Sequence, residues 1–160
     1  MNVNSLLSSG LDQVLGLLKM TVADMSDADL QQRPAEGANT ANWQLGHLVS
    51  AQGGLLAMVG GPAAMVPEGY AEIYGGKPGP STDNYLGKAQ LLELFEKNHA
   101  AQVAWVNGLS TEQLDRPTPE RLRMFAPNVA ALIQALGVHI AMHMGQIQVL
   151  RRRLGKPVLF

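Results

Sequence analysis

The sequence predicts an all-α protein, a four-helix bundle formed by a single domain over residues 1–160. Three observations carry that reading. Four long segments repeat their apolar residues at three- and four-residue steps, the spacing that gathers side chains on one helix face. No segment shows the strict alternation of a half-buried strand. With 46% hydrophobic and 16% charged residues, the chain can close a core and is too apolar for intrinsic disorder.

The first helix is expected over Ser5–Met25, where Leu7, Leu11, Val14, Leu15 and Leu18 form one stripe. The second follows Asn39 and Thr40, residue types that cap helix N-termini, and runs from Asn42 to Val59. Gly46, Gly53 and Gly54 each lower its propensity by up to about 1 kcal/mol relative to Ala, which points to close packing around them. The third is expected from Ser81-Thr82-Asp83 to Asn107, with Leu91, Leu92, Leu94, Phe95 and Val103 inward and Gly108 as its stop. The fourth runs from Pro127-Asn128 to Leu154, with Gly155 and Pro157 beyond it. Arg151, Arg152 and Arg153 occupy its last turns, where cations favour the negative end of the helix dipole.

Two connections share a pattern. Ser26 to Pro34 follows the first helix and Ser110 to Pro117 follows the third, and each pairs a capping Ser with Leu four residues on and a terminating Pro. The pattern is either ordinary capping or the mark of two helix–loop–helix halves joined by the Gly- and Pro-rich crossover Gly60–Pro80.

Twelve basic and thirteen acidic residues give a net charge near −1, so the clustered cations of a nucleic-acid binder are missing. The absence of cysteine excludes disulfides, thiolate ligands and a Cys nucleophile. Met1–Leu7 lacks the features of a signal peptide, and Leu55–Val66 is broken by Gly60, Gly61 and Pro62 before it reaches membrane-spanning length. A cytoplasmic protein with no membrane partner is the expectation.

The chemistry lies in the histidines. His139 and His143 are four apart on the fourth helix, so both imidazoles share one face and reach one ion. Leu132, Leu136, Gln146 and Leu150 lie on that face, which turns the pair inward. His47, among Leu45, Leu48 and Val49, is the natural third ligand, although alone it reads equally as a core histidine bonded to backbone. His99, beside Lys97, Asn98 and Gln102, reads as a solvated rim residue. Ile140 stands where a zincin carries its Glu base, leaving only a distant carboxylate such as Glu36 or Glu93 for that role. Neither a Walker loop nor a G-x-S-x-G elbow occurs.

Asn42-Trp43-Gln44-Leu45-Gly46-His47-Leu48 and His139-Ile-Ala-Met-His143-Met-Gly145-Gln146-Ile147 together resemble the two signatures of the DinB-like superfamily. The ending Leu150-Arg-Arg-Arg-Leu-Gly155-Lys-Pro157 is similar as well. The resemblance implies an up-down-down-up bundle with a long crossover between its second and third helices, often a homodimer. It also implies a divalent transition metal, Zn or Ni foremost, on His47, His139 and His143, with Gln146 supporting from behind the ligands.

Characterised members of this superfamily are thiol-dependent S-transferases and isomerases that use a small thiol such as bacillithiol or mycothiol. The implied function is therefore a metal-dependent transfer of an external low-molecular-weight thiol to a small electrophile, in a cleft walled by Trp43, Leu136 and Met142 and covered by Gly60–Pro80. The alternatives are a metal-dependent hydrolase with the same ligands, and a non-catalytic metal-stabilised bundle acting as a dimeric interaction or sensing protein. Leu and Met residues exposed on the first and third helices are the expected contributors to a dimer.

Overall fold

The computed structural model describes residues 2–75 and 85–159. Four long helices dominate it: α1 (Val3–Val22), α3 (Ala41–Ala57), α5 (Lys88–Asn107) and α7 (Val129–Arg153). Three short ones, α2 (Asp27–Leu30), α4 (Tyr70–Tyr74) and α6 (Thr111–Asp115), lie between them. No strand occurs among the described residues.

Caps fix most of the starts. Asn2, Thr40 and Asn128 accept the exposed amide hydrogens of Ser5, Trp43 and Ala131 at the heads of α1, α3 and α7. The two Ser-to-Pro connections both fold as predicted, into short helices with reciprocal capping boxes at Ser26 and Ser110. Leu30 and Leu114 are buried beneath them.

The third long helix departs from expectation. Its predicted start at Ser81–Asp83 lies outside the described residues, and Tyr85–Gly87 are not helical. The start at Lys88 is capped from elsewhere: its amide donates to the Asp27 carboxylate at 2.6 Å. The first helix also stops before its expected end, at Val22, while Met25 reaches the core from the turn beyond.

Hydrogen bonds between helix ends give the directions. The C-terminal ends of α1 and α7 meet where Arg151 donates to the Thr21 carbonyl at 2.8 Å. The starts of α3 and α5 meet where Asn42 donates to the Leu86 carbonyl at 2.7 Å. The start of α1 lies against the end of α5, where Ser8 donates to Asn107. The bundle therefore runs up-down-down-up. Both α1 and α3 pack on α5 and α7, so α1 and α3 sit diagonally, as do α5 and α7, and α3 is a direct neighbour of α7.

The core has two parts stacked along the bundle. One joins Leu18, Leu45, Tyr74, Phe95, Ile140 and Ile147, and the other joins Leu11, Leu56, Val106, Leu132, Ile133 and Leu136. By length and composition α7 is apolar enough to cross a membrane; its packing against α1 and α3 accounts for that character. Arg151 in its last turn is almost fully buried and clasps Thr21, Asp24 and the Pro157 carbonyl. Its role is thus a tertiary one, beyond the dipole effect read from sequence.

Candidate metal centre

His47 comes from the middle of α3, and His139 and His143 come from successive turns of α7. The neighbouring packing of those helices brings the three rings together. Their centroids are 5.4 Å, 5.6 Å and 4.9 Å apart, and one nitrogen from each lies within 4.8 Å of the others. Tetrahedral coordination at about 2.0–2.1 Å separates ligand nitrogens by roughly 3.4 Å. The Nε2 atoms of His139 and His143 are already 3.2 Å apart.

The surroundings set the tautomers. His47 Nδ1 lies 3.1 Å from the Tyr74 carbonyl, which can only accept, so Nδ1 carries the hydrogen and Nε2 the lone pair. His143 Nδ1 faces the amide oxygens of Gln44 at 3.3 Å and Gln146 at 3.1 Å and donates likewise. Its Nε2 lone pair then points at His139. His139 Nδ1 is buried and has no hydrogen-bond partner among the described residues. Without an ion, His139 Nε2–H can donate to the His143 lone pair; a cation among the Nε2 atoms would instead engage all three lone pairs, and carbonyl acceptors behind ligating histidines are the usual support for such an ion.

Charge points the same way. Burial, then the neighbouring His143 and His47, push the His139 imidazole down to about 4. Burial, followed by His47, also lowers His143, against a smaller opposing hydrogen bond from Gln146. Both rings are therefore neutral at pH 7, the form that binds metal.

Residues 11–147 match the sequence profile of the DinB superfamily. The chain belongs to that superfamily. Solved structures agree in fold. A structure of YfiT from Bacillus subtilis, described as a probable metal-dependent hydrolase with an unusual four-helix bundle topology, superposes with a TM-score of 0.67 at 18% identity, covering 96% of this chain and 89% of that one. A conserved protein from Enterococcus faecalis superposes with a TM-score of 0.71 at 18% identity, covering 98% and 99%. No functionally curated protein matches the sequence.

Within this DinB bundle several expected residues take other places. Trp43 is buried, so it does not wall a cleft. It stacks on His47 at 4.5 Å with an interplanar angle of 8°, held by donation from its indole nitrogen to the Ile73 carbonyl at 3.0 Å. Leu136 is fully buried in the core. Met142 does border open space: with His139, Val138, Phe125 and Leu55 it lines a cavity of about 520 Å³.

The described part of the crossover does not line that cavity. That part, 60–75, packs behind His47 instead, with Tyr70 and Tyr74 buried. Tyr70 donates to the Gly46 carbonyl at 3.0 Å and Tyr74 to Asn42 at 3.1 Å, and burial pushes the Tyr74 phenol up to about 12. Residues 76–80 of the predicted cover lie outside the described residues.

His99 is also buried, in contrast to the solvated reading, and its Nε2 pairs with Asp12 at 2.7 Å across α1 and α5. Glu36 and Glu93 are exposed, and among the described residues no carboxylate joins the histidine cluster. Two supporting groups are absent from the sequence reading. Gln44 could have been found, since it precedes His47 by three as Gln146 follows His143 by three. The Tyr74 carbonyl carries no side-chain signal at all.

Proposed function

We propose that this DinB-superfamily protein is an enzyme that holds a divalent transition metal, Zn or Ni foremost, on His47, His139 and His143 and transfers an external low-molecular-weight thiol to an electrophilic small molecule. The observation supporting it is a cluster of three imidazoles, with no fourth protein ligand among the described residues, whose His139 borders a cavity. Catalytic metal sites keep an open position, whereas structural ones are closed by four protein ligands. A bound ion supplies Lewis acidity that favours the thiolate over the thiol at neutral pH.

The chain's own groups do the rest. The Tyr74 carbonyl and the Gln44 and Gln146 amides hold the rings in one tautomer, and Trp43 shields one face of His47 from water. The cavity beside His139 holds the electrophile. Because the chain has no cysteine, the sulfur is brought by the thiol cofactor. The thiol proton passes to solvent, a carbon–sulfur bond forms, and the leaving group departs with its electron pair.

A hydrolase reading is favoured by the description of YfiT, with water replacing the thiol. The missing carboxylate at the cluster weighs against it, since no general base is positioned there among the described residues. A non-catalytic, metal-stabilised homodimer used for interaction or sensing is the reading that a fourth protein ligand would favour.

Elemental analysis of tag-free protein purified without chelator tests the centre. About one equivalent of metal per chain is expected, falling below about a tenth in His47→Ala and His139→Ala. Turnover of an alkyl halide should require added thiol. Metal-dependent turnover indifferent to thiol would replace the transferase by the hydrolase, and a metal-free wild type that takes up neither Zn²⁺ nor Ni²⁺ would remove both.

A further inference from the structure

The cavity that borders His139 lies between α3, α7 and the turn before α7, with walls formed by Leu55, Phe125, Ala131, Ala135, Val138 and Met142. Among the described residues only Gln134 and His139 bring polar side chains to it, and no Lys, Arg, Asp or Glu does. Its volume of about 520 Å³ falls within the range of small-molecule sites. Phe125, Val138 and Met142 are 54%, 55% and 59% exposed, an unusual gathering of large apolar side chains around one opening.

From this lining we infer that the acceptor is a neutral molecule with an apolar body, seated against Val138, Met142 and Phe125 with its reacting end toward His139. A carboxylate or phosphate placed against those walls would lose hydration with no Lys or Arg among the described residues to replace it, whereas an uncharged aryl or alkyl body gains contact with six apolar walls. Among the described lining residues Gln134 is the one amide able to orient a carbonyl or ether oxygen. The assignment of this molecule as a reactant rests on the proposed metal centre; the charge preference of the cavity does not.

Benzylideneacetone and cinnamate share a skeleton and differ by a methyl ketone against a carboxylate, which makes them a matched pair for calorimetric titration. Protein as purified and protein stripped with chelator are both titrated, and metal content is measured on each. The stripped protein is expected to bind the ketone at least about tenfold more tightly than cinnamate. Val138→Lys, at an exposed position, should keep the melting temperature and raise cinnamate affinity about tenfold, while Met142→Ala should weaken the ketone severalfold.

Cinnamate binding as tightly as the ketone in the stripped wild type would overturn the inference. So would the absence of binding by either compound, or a Val138→Lys variant that leaves both affinities unchanged. Ketone binding in a protein that never takes up metal would sustain the cavity's preference and remove the metal centre. Metal binding without ketone binding would do the reverse.

Discussion

His139 and His143 carry protons poorly in the folded chain, and this has a consequence for the metal-free protein. The His139 value of about 4 lies below the ordinary 6.5, so the unfolded chain binds more protons between those limits. The stability contributed by the neutral ring is complete above about pH 6.5 and is lost as the pH falls through about 4. Allowing for partial solvent access, the loss is on the order of 2 kcal/mol. Urea unfolding of chelated protein at about pH 7.5 and about pH 4.5 measures it, and His139→Gln should flatten the difference relative to wild type. An equal acid sensitivity in that variant would assign the effect to other groups.

The same scale shows where sequence reading worked. The His139/His143 spacing was sufficient to place two rings on one face, and a third histidine among apolar neighbours in α3 met them. His99 failed because its neighbours are polar in type but not in place: Asn98 and Gln102 are buried too, and Asn98 bonds the Met65 backbone across to the crossover. Residue type predicts solvation only when the tertiary partner is known.

At the scale of elements, the glycines of α3 divide into two kinds. A methyl group at Gly46 would overlap the Tyr74 ring, and one at Gly53 would overlap the Ala64 backbone. Gly54 has open space. Gly46→Ala is therefore expected to destabilise by about 2–3 kcal/mol and to weaken metal binding, because Tyr74 also holds His47 through its carbonyl. Gly54→Ala should stabilise by up to about 1 kcal/mol, from helix propensity alone. Chemical denaturation of both variants checks the pair, and similar shifts of the same sign would contradict it.

Helix periodicity and local caps made α1, α3 and α7 legible in the sequence. The start of α5 was not, since its cap is Asp27, 61 positions earlier in the chain. Nor was α4, whose five residues are too few to show a period and sit within a Gly- and Pro-rich stretch that reads as loop. Exposed apolar residues also fall differently from expectation. Leu6 and Met20 project from α1 as anticipated, but α5 exposes no large apolar side chain and α7 exposes Val138, Met142 and Val149.

For the whole molecule, Arg151 ties the end of α7 to the end of α1 and to the C-terminal tail. The guanidinium also holds the Asp24 carboxyl below its usual range. Removing the side chain would leave the Thr21 and Pro157 carbonyls without these donors and would open a cavity. Arg151→Ala is expected to cost about 3 kcal/mol, or roughly 6–12 °C in melting temperature. Asp24→Asn, at a half-exposed carboxylate screened by solvent, should cost far less than Arg151→Ala. Calorimetry of the two variants would contradict this ranking if Asp24→Asn proved the more damaging.

The diagonal placement of α1 and α3, and of α5 and α7, makes α3 and α7 touch although roughly 90 residues separate His47 from His139, so an ion held by both helices would fasten a long circuit of chain. Closing such a loop has an entropy cost of about 4 kcal/mol in a flexible chain, a cost that folding has already met before the ion arrives. Once all three rings are engaged, the metal acts as a clasp on the architecture. The two helices could then part only after the ion had left, and a metal-release rate would set a ceiling on the rate at which the bundle opens.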